Sequence, residues 1–203
     1  ITTAATLSTN PSLHPKTGML AVTGLRPVTK LVDLDFALTA APSLGIKSTQ
    51  DLLARAKAEP GKLTVATTAS GSAAYLTAEL IKRAANINYL TVPHNGGGNA
   101  VNDALGGHTD LLLETVALSA PHIQAGSLVP LATTGPKRSV FLANVPTLKE
   151  IGVNVEVVGW VAMVAPKKLP DDIVAKVQAE LAKIANRKEV AEILSNLKAE
   201  PVV

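Results

Sequence analysis

Apolar residues recur in short runs between about residues 46 and 135, and a helical pattern separates each run from the next. The runs predict strands at Leu63 to Thr67, Asn88 to Val92, Asp110 to Leu113 and Leu128 to Thr133. Helical patterns follow Ser48, Ser72 and Gly98, and another spans Ala117 to Ala125. Such alternation predicts crossover units on a parallel sheet.

Start and stop signals mark the first of these helices. Ser48 precedes Asp51 by three residues, which is the spacing of a capping box, and Pro60-Gly61 ends the pattern. The second helix places Ala73, Leu76, Leu80, Ile81 and Ala84 on one face.

The pattern changes on both sides of this block. Residues 26–40 and 155–165 are extended runs, and two helical patterns follow Pro166. One extended run on each side of an α/β unit suits connections that cross between two domains.

Composition narrows the function classes. The 203 residues are 47% apolar and 17% charged, which is enough for one large or two small folded domains. The net charge of +3 is spread along the chain and aromatic residues make up 2%, so nucleic acid is not an expected partner. The chain contains no cysteine, no apolar run of membrane-spanning length and no export signal, and we expect residues before Ile1 to be missing.

Two polar loops follow neighbouring predicted strands. The turn Thr67 to Ser72 brings hydroxyls and backbone N–H groups to a helix start, an arrangement that binds carboxylates or phosphates. The alternative to ligand binding is that the turn only caps the helix. Capping explains one of the four hydroxyls in this turn well and all four poorly. In the second loop, His94 to Asn99, glycines permit a backbone nest, and a flexible loop is the alternative. Because open α/β sheets bind ligands at the carboxyl ends of strands, the coincidence favours a binding site.

Catalysis has weaker support. Glu114 follows an apolar strand and could accept a ligand donor or cap the next helix. Ser70 or Ser72 could form a triad with His94 and Glu114, but such residues are common at strand ends. The histidines lack metal-ligand spacing, and neither the loop glycines nor any other motif indicates a nucleotide, so no cofactor is expected.

Several stretches occur in the order and spacing of one known family. They are Asn10 to Leu13, Ala56 to Leu63, Thr67 to Leu76, Val92 to Gly96, Leu105 to Gly107, Pro121 to Gly126, Val145 to Thr147 with Gly152, and Trp160 with Ala165-Pro166. Together they resemble the substrate-binding proteins of tripartite tricarboxylate transporters, the Bug-type periplasmic receptors.

The resemblance implies an α/β, two-domain Venus flytrap of the periplasmic-binding-protein class. Such a protein binds a small organic acid, commonly a di- or tricarboxylate, in the periplasm and delivers it to a membrane permease. Carried over by position, ligand-binding residues fall on Thr67, Thr68, Ser70, Gly71, Ser72, Tyr75, His94, Asn95, Gly96 and Glu114. The family commonly has Tyr and Lys at the positions of His94 and Asn95, and a histidine at the position of Tyr75.

The resemblance also divides the chain. Residues 1–45 correspond to a partial first domain and crossover, 46–154 to a complete second α/β domain, and 155–203 to a crossover strand and helices that return to the first domain. The family's first strand-helix unit and its last helical stretch are expected to be missing. Two alternatives to a receptor stay open: a truncated or degenerate interaction module without a ligand, and a small α/β enzyme.

Overall fold

The structure is a computed structural model that describes residues 1–16 and 23–202. It divides into two compact units: unit 1 comprises Ile1–Leu34 and Gly159–Val203, and unit 2 comprises Asp35–Val158. The boundaries predicted at residues 46 and 154 fall inside unit 2. Residues 17–22 of the predicted first range, and Val203 of the last, lie outside the described residues.

Strands and helices alternate through unit 2 much as the sequence pattern predicts. In chain order the described strands and α-helices are β1 (Thr2–Thr3), α1 (Asn10–Leu13), β2 (Leu25–Ala40), α2 (Thr49–Ala58), β3 (Thr64–Thr68), α3 (Ala73–Ala85), β4 (Leu90–His94), α4 (Gly97–Leu105), β5 (Leu111–Thr115), α5 (Val116–Gln124), β6 (Val129–Thr133), β7 (Val158–Pro166), α6 (Asp171–Ala185), α7 (Lys188–Asn196) and β8 (Glu200–Pro201).

The sheet of unit 2 has the strand order β4-β3-β5-β2-β6. Strand β3 pairs in parallel with β4 and with β5, as predicted. The last residues of β2, Phe36–Ala40, run antiparallel between β5 and β6. The sheet is therefore mixed, because a strand from outside the alternating block enters it antiparallel to its neighbours. These five residues are all buried, as in an interior strand covered on both faces.

Helices cover both faces of this sheet. On one face Leu38, Val65 and Leu113 pack in the same cluster as Leu52 of α2 and Ile81 of α3. On the other face Ala66 and Leu112 pack with Ala100, Val101 and Ala104 of α4. Successive strand residues thus alternate between two cores, and each fully buried Leu contributes about 1.5–3 kcal/mol.

Unit 1 has a smaller core. In its sheet β1 pairs antiparallel with β7, β8 pairs antiparallel with β2, and β7 neighbours β2. Its cluster of buried apolar residues is Val28, Ala165 and Val174, and Arg26 pairs with Asp171 at the start of α6 at 2.7 Å. Among the described residues, no helix is both long enough and apolar enough to span a bilayer.

Candidate functional site

Three parallel strands of unit 2 end at one edge of its sheet. Strands β3, β4 and β5 end at Thr68, His94 and Thr115, and because the strands are neighbours and parallel, these ends lie side by side. Every residue predicted for the site belongs to the last two residues of one of these strands, the loop after it or the first turn of the next helix. The sheet thus brings the predicted segments to one edge.

The loop after β3 leaves several donors free. Ser72 is the N-cap of α3: its hydroxyl accepts from the Tyr75 amide at 3.1 Å and donates to the Thr68 carbonyl at 3.2 Å. The buried Thr67 hydroxyl donates to that same carbonyl at 2.9 Å. Capping therefore accounts for Ser72, but the exposed Ser70 hydroxyl has no hydrogen-bond partner among the described residues.

Backbone geometry in this loop favours an anion. Gly71 has a φ of +81°, a conformation that glycine adopts without strain. Within the described part of the chain, the amides of Ala73 and Ala74 in the first turn of α3 bond to no protein acceptor. Orphan amides at the positive end of a 13-residue helix stabilise negative charge.

The sequence pattern places His94 in the loop after β4, whereas in the structure His94 belongs to the strand. This residue ends β4, and its ring bonds to protein groups: Nδ1 lies 3.0 Å from the Val92 carbonyl, and Nε2 lies 3.2 Å from Asp103 Oδ2 on α4. Sequence reasoning missed Asp103, although its place on the helix after His94 is the signal that could have found it. With both ring nitrogens engaged, His94 braces α4 against β4.

Asn95 and Gly96 form the exposed part of this loop. The Asn95 carbonyl accepts from the Asn99 side chain at 2.8 Å, and the Asn95 amide group has no partner among the described residues. Gly96, the N-cap of α4, has φ +105° and ψ 150°, a region that is essentially restricted to glycine. The Asn95 side chain is therefore an exposed polar group of this loop with no partner among the described residues.

Glu114 is buried and bonded within the protein. The residue is only 4% exposed. Its Oε2 accepts a hydrogen bond from the Thr68 hydroxyl, and its Oε1 accepts one from the Thr115 amide at 2.8 Å. Gly97 at the start of α4 lies against it: a Cβ there would be 2.9 Å from Glu114 Cδ. The sequence analysis included Gly97 in the loop His94 to Asn99 but did not predict that it lies against Glu114.

A catalytic triad is not assembled at this edge. The Ser72 hydroxyl caps α3, the His94 ring bonds to Val92 and Asp103, and the Glu114 carboxylate bonds to Thr68 and Thr115. A nucleophile, a base and an orienting acid must bond to one another in that order. The structure therefore does not support a triad of Ser70 or Ser72 with His94 and Glu114.

A polar cluster joins α3 to the start of β4. The Thr91 hydroxyl donates to Glu79 at 2.6 Å, and Lys82 pairs with Glu79 at 2.7 Å. Burial acts to raise the pKa of Glu79, but the bonds from Lys82 and Thr91 outweigh it and lower that pKa. Burial, with the Glu79 charge, raises the pKa of the Tyr89 phenol, which donates to the Ala78 carbonyl at 2.5 Å. These contacts keep α3 fixed over the strand that carries His94.

The described residues offer no metal-ligating cluster, and one surface cavity of unit 2 lies away from the strand ends. The described residues contain no group of three or more His, Asp or Glu side chains placed to hold a metal ion. A surface cavity of about 280 Å³ lies at the start of β6 instead, between Lys47 to Gln50 and Asn144 to Pro146. It contains none of the predicted site residues, and the Ser48 hydroxyl on its wall is used in the cap of α2.

Solved structures define the class. The chain superimposes with a TM-score of 0.90 on R. palustris Rpa4515 with adipate, at 29% identity over 99% of this chain and 68% of that one. The periplasmic binding protein BugD gives a TM-score of 0.82 at 27% identity, over 98% of this chain and 67% of that one. The α/β fold is therefore that of periplasmic binding proteins, as predicted.

Sequence relatives narrow the class to one family. All of residues 1–203 match the family described as the tripartite tricarboxylate transporter family receptor. Protein BugT of Bordetella pertussis is 31% identical over 201 residues, which are 98% of this chain and 62% of the relative. The chain thus belongs to the tripartite tricarboxylate transporter receptors of Bug type, as the resemblance implied. This is a family of solute-binding receptors and not of enzymes, and the chain spans less than two thirds of the length of its curated relatives.

Proposed function

We propose that this chain binds a small carboxylated compound, a di- or tricarboxylate or a related organic acid, at the carboxyl ends of β3, β4 and β5. The observation that carries the proposal is the free donor set there: the Ser70 hydroxyl, the Ala73 and Ala74 amides and the Asn95 side chain. A solved structure of similar fold, Rpa4515, contains adipate.

Neutral donors suit this ligand class. Neither Thr67 to Tyr75 nor His94 to Asn99 contains a Lys or Arg, so a carboxylate would be held by hydroxyls, amides and the α3 dipole. Hydrogen bonds to an ionised acceptor are roughly twice as strong as neutral ones. Thr67, Thr68, Gly71, Ser72, Tyr75, His94, Gly96 and Glu114 shape the loops that present these donors, and we propose direct contact for Ser70 and Asn95.

The wider role proposed for this protein is in solute transport. We propose that the protein works in the periplasm and delivers its ligand to a membrane permease, as the family description and the periplasmic neighbours suggest. We also propose that unit 2 is the second domain of a Venus flytrap and unit 1 a part of the first.

Calorimetric titration with adipate, succinate, malate and citrate tests the binding proposal. We expect Ser70→Ala and Asn95→Ala each to weaken binding about tenfold or more, since each removes a hydrogen bond to a charged group. Ser127→Ala and Asn88→Ala are matched controls, because these exposed residues precede β6 and β4 at the opposite edge.

The outcomes separate the remaining functions. Unchanged affinity in both site variants would remove these loops from the binding site. If the unaltered chain binds none of the four acids, and its thermal midpoint fails to rise by the roughly 5–10 °C expected near 100 times Kd, the ligand-free interaction module is favoured.

A further inference from the structure

Two threonine-carboxylate pairs join β3 to the β5 region, one at each end of β3. At the start of β3 the Thr64 hydroxyl donates to Asp110 at 2.8 Å, and Asp110 also accepts the Thr64 amide at 2.8 Å. At the end of β3 the Thr68 hydroxyl donates to Glu114. The parallel register spaces both pairs by the same 46 residues, but only the second lies at the candidate site.

The Thr68–Glu114 pair involves more segments of the chain than the Thr64–Asp110 pair does. Its carboxylate bonds to the end of β3 through Thr68 and to its own strand end through the Thr115 amide, and it occupies the space that a Cβ on Gly97 at the start of α4 would need. We call Glu114, Thr68 and Gly97 the Glu114 clasp. A carboxylate anchored by two hydrogen bonds cannot move freely, so it limits where the first turn of α4 can lie.

We propose that Glu114 is a positioning residue that holds the loop after β3 and the loop after β4 in a fixed relation before ligand arrives. The functional meaning of the clasp rests on the proposed function, because these two loops carry Ser70 and Asn95. A preordered pair of loops avoids the entropy cost of ordering them on binding. Glu114 acts through Thr68 and Gly97 and need not touch the ligand.

The glycine at position 97 is a steric part of the clasp. An alanine Cβ there would lie 2.9 Å from Glu114 Oε2 and 2.5 Å from Leu118 Cδ1. Leu118 is 40% exposed and can turn away, whereas the Glu114 carboxylate is held. Gly97→Ala should therefore displace the α4 start, and Glu114→Ala in the same chain should relieve the overlap.

Hydrogen exchange measured on the 203-residue chain without ligand tests the clasp directly. We expect Thr68→Val to speed exchange within residues 94–100 about tenfold at the bonded amides of Gly96 and Ala100, because one charge-assisted hydrogen bond is lost. Thr64→Val, the matched control, should speed exchange near residues 62–66 and 110 and leave residues 94–100 unchanged. Equal effects of the two variants on residues 94–100 would overturn the proposal.

Comparing Gln with Ala at position 114 separates a role of the Glu114 hydrogen bonds from a role of its negative charge. Glutamine at position 114 can still accept the Thr115 amide and donate to the Thr68 hydroxyl, whereas alanine can do neither. We expect Glu114→Gln to keep the exchange of residues 94–100 within about threefold of the unaltered chain, and Glu114→Ala to match Thr68→Val. A Gln variant as fast as the Ala variant would contradict the clasp.

Adipate titration of the same variants separates the two proposals. If the clasp positions binding loops, Thr68→Val should weaken adipate binding about tenfold and Thr64→Val should not. Adipate binding that is unaffected by Thr68→Val would overturn the positioning role. If the unaltered chain binds no acid while the exchange results hold, the proposed function fails and the structural clasp stands.

Discussion

Single glycines set the shape of the loops that end β3 and β4. Gly71 and Gly96 both have positive φ, and Gly96 is exposed with no heavy atom within 4 Å of a built Cβ. An alanine at position 96 would meet no clash, so its whole cost would come from the backbone. Gly98, two residues further on, has the same open surroundings but helical backbone.

The paired substitutions Gly96→Ala and Gly98→Ala isolate this backbone cost. We expect Gly96→Ala to lower the free energy of unfolding by about 1–3 kcal/mol, since its φ and ψ are nearly restricted to glycine. We expect Gly98→Ala to raise it by up to about 1 kcal/mol, because alanine favours the helix. Urea denaturation measures both, and a destabilised Gly98→Ala protein would contradict this account.

Helix α2 begins with the capping box that its sequence predicts. The Ser48 hydroxyl accepts from the Asp51 amide at 3.1 Å, and the Asp51 carboxylate accepts from Lys47 and Ser48 amides at 3.1 and 3.0 Å. The amide of Lys47, followed by the Ser48 contacts, holds the pKa of Asp51 below its ordinary value of 3.8. Replacing Ser48 by Ala should cost about 1 kcal/mol.

The lowered pKa of Asp51 predicts a pH dependence. Because the unfolded chain binds the proton more tightly, the contribution of Asp51 is present above its ordinary pKa and is lost as the pH falls through the lowered folded value. We expect the urea midpoint to fall less between pH 5 and pH 2.5 in Asp51→Asn than in the unaltered chain. Parallel falls in the two proteins would show that Asp51 contributes no such dependence.

At the scale of the whole molecule, the cores are unequal. Three of the apolar clusters lie wholly within unit 2, and the cluster around Val28, Ala165 and Val174 lies in unit 1. Helix α7 of unit 1 buries none of its described side chains, and its Ile193 is 57% exposed. Unit 2 therefore contains what an independently folding domain requires.

A chain of residues 35–158 should fold without unit 1. We expect circular dichroism to show mixed α/β structure and a single cooperative urea transition, because the buried Leu residues of both faces stay within this range. Leu113→Ala in the same chain should cost about 2–5 kcal/mol and shift that transition. A fragment that stays unfolded would refute the assignment of unit 2 as a domain.

Prediction from the sequence succeeded where the decisive contacts are local. The cap at Ser48 and Asp51, the strand-helix alternation and the helix start at Ser72 each depend on residues a few positions apart. It predicted the extended run of β2 but not the place of this strand in the sheet, because nothing near Phe36 indicates that it enters between β5 and β6. It also missed the contact between His94 and Asp103, because a histidine can pair with any carboxylate that the fold brings near it. Whether the predicted site residues bind a ligand stays a prediction.

The amino-acid sequence alone determined the helices, the β3-β4-β5 units and the two polar loops, because periodicity, capping and turn residues act over short distances. Its resemblance to known receptors indicated the family. Tertiary structure alone decided which free donors remain at the strand ends. The Ser72 and Thr67 hydroxyls are used locally, His94 bonds to Asp103, and Glu114 reaches across 46 residues to Thr68. Pairing between strands distant in sequence depends on the whole sheet, so no local pattern can specify it.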